Sequence, residues 1–295
     1  MSVSEQMQAH LDTGLTTLCR AWAITRADGT IYGFTDHDCT LSFEGVTFRA
    51  DTGLTALALQ QSTGLSVDNT EALGALSDVS LREEDILAGR FDGASVQAWL
   101  VNWSDVAQRE VVFRGTIGEL TRIDGAFRAE VRGLADQLNR PFGRVIQKTC
   151  AAVLGDAQCR FDRDQPGYRF DGEVIQTDGR AAFIINPENT FAEDWFRHGA
   201  CEVLDGAAKG LSGVIKRDTS QPTQGRRIEL WEPLRAAIAP GDRVRLTAGC
   251  DKAFKTCRLK FNNLLNFQGF PDVPEDDWVV TAAPSAMTRN GGSRR

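Results

Sequence analysis

The chain has 295 residues, 42% hydrophobic and 25% charged, with a formal net charge of -7 and an isoelectric point near 5.1. This is the composition of a folded globular protein long enough for two or three domains, not of a disordered tail. The acidic balance excludes a surface that wraps DNA or RNA, because such a surface needs a basic face to neutralise phosphates.

The opening residues Met1 to Gln8 have no basic start and no apolar core, and no later apolar run reaches the length of a membrane span. The expectation is a protein made in the cytoplasm, where thiols stay reduced and disulfides are rare. Residues 13 to 140 read as strands. Thr17 to Arg26 and Thr30 to Thr35 flank Asp28-Gly29, a dipeptide that accepts the positive φ of a tight hairpin turn. The same device recurs at Asp124-Gly125, between Val111 to Leu120 and Ala126 to Arg132, and at Asp178-Gly179, between Glu173 to Gln176 and Ala181 to Ile185. Antiparallel sheet is therefore expected in both halves. Short helices are expected over Glu83 to Arg90 and over Gly133 to Asn139, the latter stopped by Pro141.

Asp36-His37-Asp38-Cys39 combines carboxylates, an imidazole and a thiol, which suits a metal or acid/base site, and equally suits the polar end of a hairpin. The chain has three histidines, His10, His37 and His198, and no Ser/His/Asp pattern, phosphate loop or nucleotide fingerprint accompanies them. Glu83-Glu84-Asp85 reads as the acidic first turn of a helix, where negative charge meets the positive end of the dipole.

Four of the seven cysteines form two pairs, Cys150 with Cys159 and Cys250 with Cys257, with eight and six residues inside them. Neither matches the spacing of roughly two to four residues that structural zinc favours. An iron-sulfur cluster accepts four thiolates from more varied backbone geometry and is the favoured ligand. Zinc, and four small buried hydrophobic side chains, stay open as readings of the same residues. Arg160, Lys252, Lys255, Arg258 and Lys260 lie close enough in sequence to offset the negative charge of such a cluster, or to form a solvated basic face. Between the pairs, residues 168 to 247 carry their own strands and the aromatics Trp195, Phe196 and Trp231, as expected of an inserted small β domain. A cluster gripping both flanks would close a loop of about 90 residues and act as a staple. No flavin or nucleotide fold accompanies it, so a structural role is favoured over electron transfer. The stretch from Arg289 to Arg295 reads as a polar, frayed end.

Thr17-x-Cys19-x-x-Trp22-x-Ile24, followed by Gly33-Phe34-Thr35-Asp36-His37-Asp38, resembles a family of tail proteins of siphophages and gene transfer agents. Also similar are the run Asp85 to Val96 with Trp99 and Trp103, the two cysteine pairs, Gly269-Phe270-Pro271 and Asp276-Asp277-Trp278. The resemblance covers nearly the whole chain. It implies a baseplate hub protein, like the gene transfer agent hub and the iron-sulfur tail tip protein of lambda-like phages. It further implies a 4Fe-4S cluster on Cys150, Cys159, Cys250 and Cys257, with Cys19, Cys39 and Cys201 matching no ligand position.

The expected fold is mainly β, with multidomain antiparallel β-barrels or a sandwich, few short helices and a small C-terminal iron-sulfur domain. The expected division is an N-terminal β-barrel hub domain over 1–145, an iron-sulfur domain over 146–167 and 248–295, and an inserted β domain over 168–247. The expected function is structural rather than enzymatic: a homotrimeric ring in the tail baseplate of a virion. It would join a hexameric distal tail protein ring to a larger three-fold tip or fibre protein, each subunit offering two similar β-barrel faces. DNA would pass through its channel without specific binding, and no membrane is involved. The alternative is an iron-sulfur or zinc redox protein or metalloenzyme.

Overall fold

The structure is a computed structural model and describes residues 4–50, 54–55, 69–74, 82–123, 126–133, 143, 145–186, 191–221 and 225–273. It divides into two compact units, Met1–Pro141 and Phe142–Arg295. Strands predominate in both.

The first unit begins with α1 (Glu5–Asp12), which composition alone does not announce. Ser4 caps it by accepting a hydrogen bond from the Met7 amide, and Met7 is fully buried. Strands β1 (Leu18–Thr25), β2 (Ile31–Thr35), β3 (Leu41–Phe43), β4 (Val46–Arg49), β5 (Leu54–Thr55), β6 (Asn69–Gly74), β7 (Ser95–Asn102), β8 (Arg109–Ile123) and β9 (Ala126–Gly133) follow. Their order is β3-β4-β2-β1-β7-β8-β9-β6-β5 in one nine-stranded sheet. The pairs are antiparallel, as the sequence leads one to expect for most of the sheet, except β2 with β4, which run parallel.

Strand β1 shows why the sequence reads as a near-continuous apolar run. Cys19, Ala21 and Ala23 enter one buried cluster with Phe43, Phe48 and Trp99, while Trp22 and Ile24 enter another with Phe34, Phe91 and Phe113. The side-chain period of two thus sends alternate residues into apolar material on both faces. The β1–β2 hairpin forms where expected, but its loop holds three residues: Arg26 pairs with Thr30, and only Gly29 has a positive φ, 82°. That is a type I turn closed by a left-handed residue rather than a two-residue primed turn. The two-residue form occurs instead between β3 and β4, where Glu44 and Gly45 have φ of 51° and 75°.

Helix α2 (Glu83–Leu87) is shorter than the expected Glu83 to Arg90, because the chain turns at Ala88. Asp85 pairs with Arg26 at 3.2 Å and Arg90 at 3.0 Å, so this acidic turn anchors a buried guanidinium as well as meeting the helix dipole. Strands β8 and β9 pair up to Ile123 and Ala126. Their turn, Asp124-Gly125, lies outside the described residues, as do the expected helix over 133–139 and the Asp276-Asp277-Trp278 motif.

The second unit contains a closed barrel of six strands, β10 (Arg169–Asp178), β11 (Ala182–Ile185), β12 (Ala200–Val203), β13 (Ser212–Gln221), β14 (Gly225–Leu230) and β15 (Arg243–Thr247), in the order β10-β11-β14-β13-β12-β15. Strand β10 serves two neighbours: Arg169 to Glu173 pair with β15, and Val174 to Asp178 with β11, with a bulge between Val174 and Gln176. The bulge bends the strand and lets the sheet close. Val174, Phe183, Phe196, Cys201, Ile215, Ile228 and Leu246 fill the interior. One buried ion pair joins them: Arg226 grips Asp218 at 2.5 and 2.8 Å and donates to the carbonyls of Phe191 and Ala192. Asp218 also accepts from the Phe196 amide at 2.8 Å, so every charged atom of the pair is matched. The sheet of the first unit and the barrel of the second are different architectures, so the expected pair of similar barrel faces is not what the described residues form.

Candidate metal centre

Two arms of the second unit carry the paired cysteines, one before β10 and one after β15. In the first arm, the Asp156 carboxylate accepts from the amides of Val153, Gln158 and Cys159 at 2.7, 2.9 and 2.6 Å, winding the residues between the cysteines into a tight knot. Those bonds, the Cys159 amide first, hold the Asp156 carboxyl below its usual range. In the second arm, Asp251 accepts from the Ala253 amide at 2.9 Å and the Thr256 hydroxyl at 2.8 Å. Those bonds start α3 (Phe254–Leu259), which presents Cys257 on its buried side.

The arms are laced together. The Cys150 amide donates to the Lys252 carbonyl at 2.9 Å, and the Ala151 amide to the Gln268 carbonyl at 3.3 Å. Asn263 donates to the Cys159 carbonyl at 2.7 Å. An aromatic wall closes one side: Phe161 meets Phe261 and Tyr168 edge-on at 4.9 and 4.8 Å, and Tyr168 donates its hydroxyl to the Lys260 carbonyl at 2.6 Å.

Cys150, Cys159, Cys250 and Cys257 line one recess, together with Lys252 and Asn263. The four sulfurs are close enough for each of the other three to push the Cys257 thiol upward, to about 11, after burial as the main cause. Burial likewise raises Cys250. Donors already address two sulfurs: the Gln268 amide lies 3.4 Å from Cys150 Sγ and the Asn263 amide 3.4 Å from Cys159 Sγ. Arg160, one residue after Cys159, Lys252, two after Cys250, and Asn262, five after Cys257, adopt positive φ of 56°, 65° and 46°. Non-glycine residues hold that conformation only where their surroundings enforce it.

This donor set fits a thiolate-bound metal centre. All seven cysteines are free of disulfides.

Of the five expected cations, Lys252 lines the recess and donates to the Ala152 carbonyl. Lys260 donates to the Trp195 and Gly249 carbonyls at 2.5 and 2.8 Å and sits over the Trp195 ring, with burial pulling its pKa down. Arg160, Lys255 and Arg258 are exposed. Sequence reasoning missed Asp156, Asp251, Asn263 and Gln268. An aspartate three residues before Cys159, and one directly after Cys250, are the local signals that carry the first two. Cys19 and Cys201 are core residues elsewhere, their thiols raised by burial to about 11 and about 12.

Residues 4–162 match the family model described as baseplate hub protein, N-terminal attachment domain, and residues 194–277 match that of the phage conserved hypothetical protein BR0599. No curated protein matches the chain. Among solved structures, a chain from the virion of a native gene transfer agent particle is 51% identical, with a TM-score of 0.91 over 98% of this chain and 99% of that one. No helix among the described residues is long and apolar enough to cross a membrane. With more than half its length in the hub model, the chain belongs to the baseplate hub protein family of phages and gene transfer agents, and is a structural component of the virion tail baseplate.

Proposed function

We propose that three copies of this chain form the baseplate ring that joins the hexameric distal tail to the three-fold tip and surrounds the DNA exit channel. Each copy holds a 4Fe-4S cluster on Cys150, Cys159, Cys250 and Cys257. The observation that carries the second half is the convergence of four thiols on one recess from arms separated by a whole barrel. The cluster's contribution is covalent: it crosslinks 146–167 to 248–295, the proposed iron-sulfur domain, and clamps the base of the inserted barrel domain at 168–247. Asp156 and Asp251 fold their own arms, and Asn263 ties the second arm to the first.

The ring half rests on family membership and on symmetry. A six-fold tube meeting a three-fold tip needs an adaptor with two contact surfaces per subunit facing the tube. The larger tip or fibre protein would attach on the opposite side. A net charge of -7 favours an acidic lumen past which a phosphate polymer slides without sticking.

Anaerobic purification followed by iron and acid-labile sulfide analysis tests the cluster: iron and sulfide in equal amounts, about four of each per chain, are expected. Zinc alone, or no metal, overturns it. A reconstruction of the intact particle tests the ring, through its copy number and the sign of charge on the channel wall. A six-fold copy number or a mainly basic wall overturns that reading.

A further inference from the structure

The loop after β2 is a second cluster of metal-binding side chains, separate from the four-cysteine recess. We propose that His37, Asp38 and Cys39 bind one zinc-class divalent cation. The atoms these residues offer, one imidazole nitrogen, one carboxylate oxygen and one sulfur, already lie within 4.8 Å of one another. Tetrahedral zinc holds such atoms roughly 3.3–3.8 Å apart, so about 1 Å of side-chain closure completes the set.

The backbone beneath the site is fixed in advance. The Asp36 carboxylate accepts from the Arg20 amide at 2.6 Å, and the Asp36 amide donates to the Arg20 carbonyl at 3.2 Å. Thr35 donates its hydroxyl to the same carbonyl at 2.8 Å, and that hydroxyl accepts from the His37 amide at 3.2 Å. The His37 ring packs on Trp103 with centroids 5.0 Å apart. Its Nδ1 accepts from the Cys39 amide at 2.9 Å and lies 3.4 Å from Asp38 Oδ1. An arriving cation takes the place of that amide proton as the partner of Nδ1.

Charge and softness select the ion. A thiolate, a carboxylate and a neutral imidazole sum to minus two, which neutralises a dication, and the Cys39 thiol proton leaves to solvent on binding. A set with one soft sulfur and one nitrogen suits zinc and excludes calcium or magnesium, which require mostly oxygen ligands. Three protein ligands leave the fourth position open. It faces solvent, since the Asp38 side chain is 93% exposed and Cys39 is exposed.

The test uses the full chain carrying whatever metal it holds at the four cysteines. After equilibration with zinc and removal of excess, zinc and iron are counted in the parent, His37→Gln and Cys39→Ser proteins. One zinc per chain is expected in the parent and is lost in both variants, with iron content and melting temperature unchanged. Cobalt(II) in place of zinc should give thiolate-to-cobalt charge transfer in the parent and none in Cys39→Ser. Equal zinc in all three proteins overturns the proposal, as does binding that calcium displaces at equal concentration. Because iron is counted separately, failure here leaves the four-cysteine reading standing, and an iron-free parent leaves this one to be judged on zinc alone.

Discussion

Asn263 reaches back across 104 residues to donate its side-chain amide to the Cys159 carbonyl at 2.7 Å, with the same nitrogen 3.4 Å from the Cys159 sulfur. It thereby serves both the Cys159 backbone and its sulfur, one of the four proposed ligand atoms. Replacing it with alanine leaves a part-buried carbonyl unmatched, which costs about 1–3 kcal/mol. Asn263→Ala should lower the thermal midpoint and lose iron faster under a chelator than the parent. Unchanged iron retention would show that the amide acts on packing alone.

The buried pair in the barrel makes a second prediction. Asp218 and Arg226 are almost fully enclosed, and each satisfies the other's charge. Removing one partner strands the other, which costs about 3–5 kcal/mol. Asp218→Asn and Arg226→Met should each destabilise the second unit by that amount in denaturant titrations. The double replacement should recover part of the loss, because no uncompensated charge remains.

A third prediction separates the proposed ligand cysteines from packing cysteines. Cys201→Ser places a hydroxyl in the barrel interior and should cost about 1–3 kcal/mol while leaving metal content intact. Cys250→Ser should abolish the iron signal. Iron lost from Cys201→Ser that retains its fold would contradict the ligand assignment.

Gly249, directly before Cys250, makes a close approach that no side chain can share. A Cβ there would lie 1.6 Å from the Arg197 carbonyl oxygen and 2.7 Å from the Gly199 nitrogen. Gly249→Ala must push these backbones apart, at a cost of at least the 1–3 kcal/mol typical of overpacking, and should displace Cys250 from the recess. Loss of iron in a protein whose first unit still melts normally is the expected signature.

Acid should loosen the seam between β10 and β15. Hydrogen bonding from Arg245, the leading cause, depresses the Asp171 carboxyl. A depressed carboxylate stabilises the fold above its ordinary pKa of about 4, and that contribution fades as pH falls through the lower folded value. The pair is partly exposed, so the effect is small and screened by salt. Melting curves should show a weaker decline below about pH 4 in Asp171→Asn than in the parent.

How much of this was legible in the sequence differs by feature. The Asp28-Gly29 hairpin could be read because a left-handed residue is needed wherever such strands reverse, although one-dimensional text did not distinguish its three-residue loop from a two-residue one. The parallel pairing of β2 with β4 could not be read, since it depends on where β3 folds back through Glu44-Gly45. The cysteine pairs stood out by spacing. Their supporting Asn263 and Gln268 did not, because an amide side chain or a backbone N–H near a sulfur has no sequence period and becomes visible only when distant segments meet. Asp36 to Cys39 was visible as a cluster of ligand types, and the structure adds the scaffold of Arg20 and Trp103 that fixes it.

The barrel begins and ends at partners in one register, Arg169 beside Thr247. Synthesis delivers Cys150 and Cys159 well before Cys250 and Cys257, and the pairing of β15 with β10 brings the segment that carries the second pair back beside the segment that carries the first. Maturation of the proposed cluster would thus be ordered by topology: a half-made chain can offer two of its sulfurs but not four, and whatever loads the proposed metal would wait for the barrel to shut. A premature stop within the insertion would yield an orphaned dithiol rather than a partly working hub.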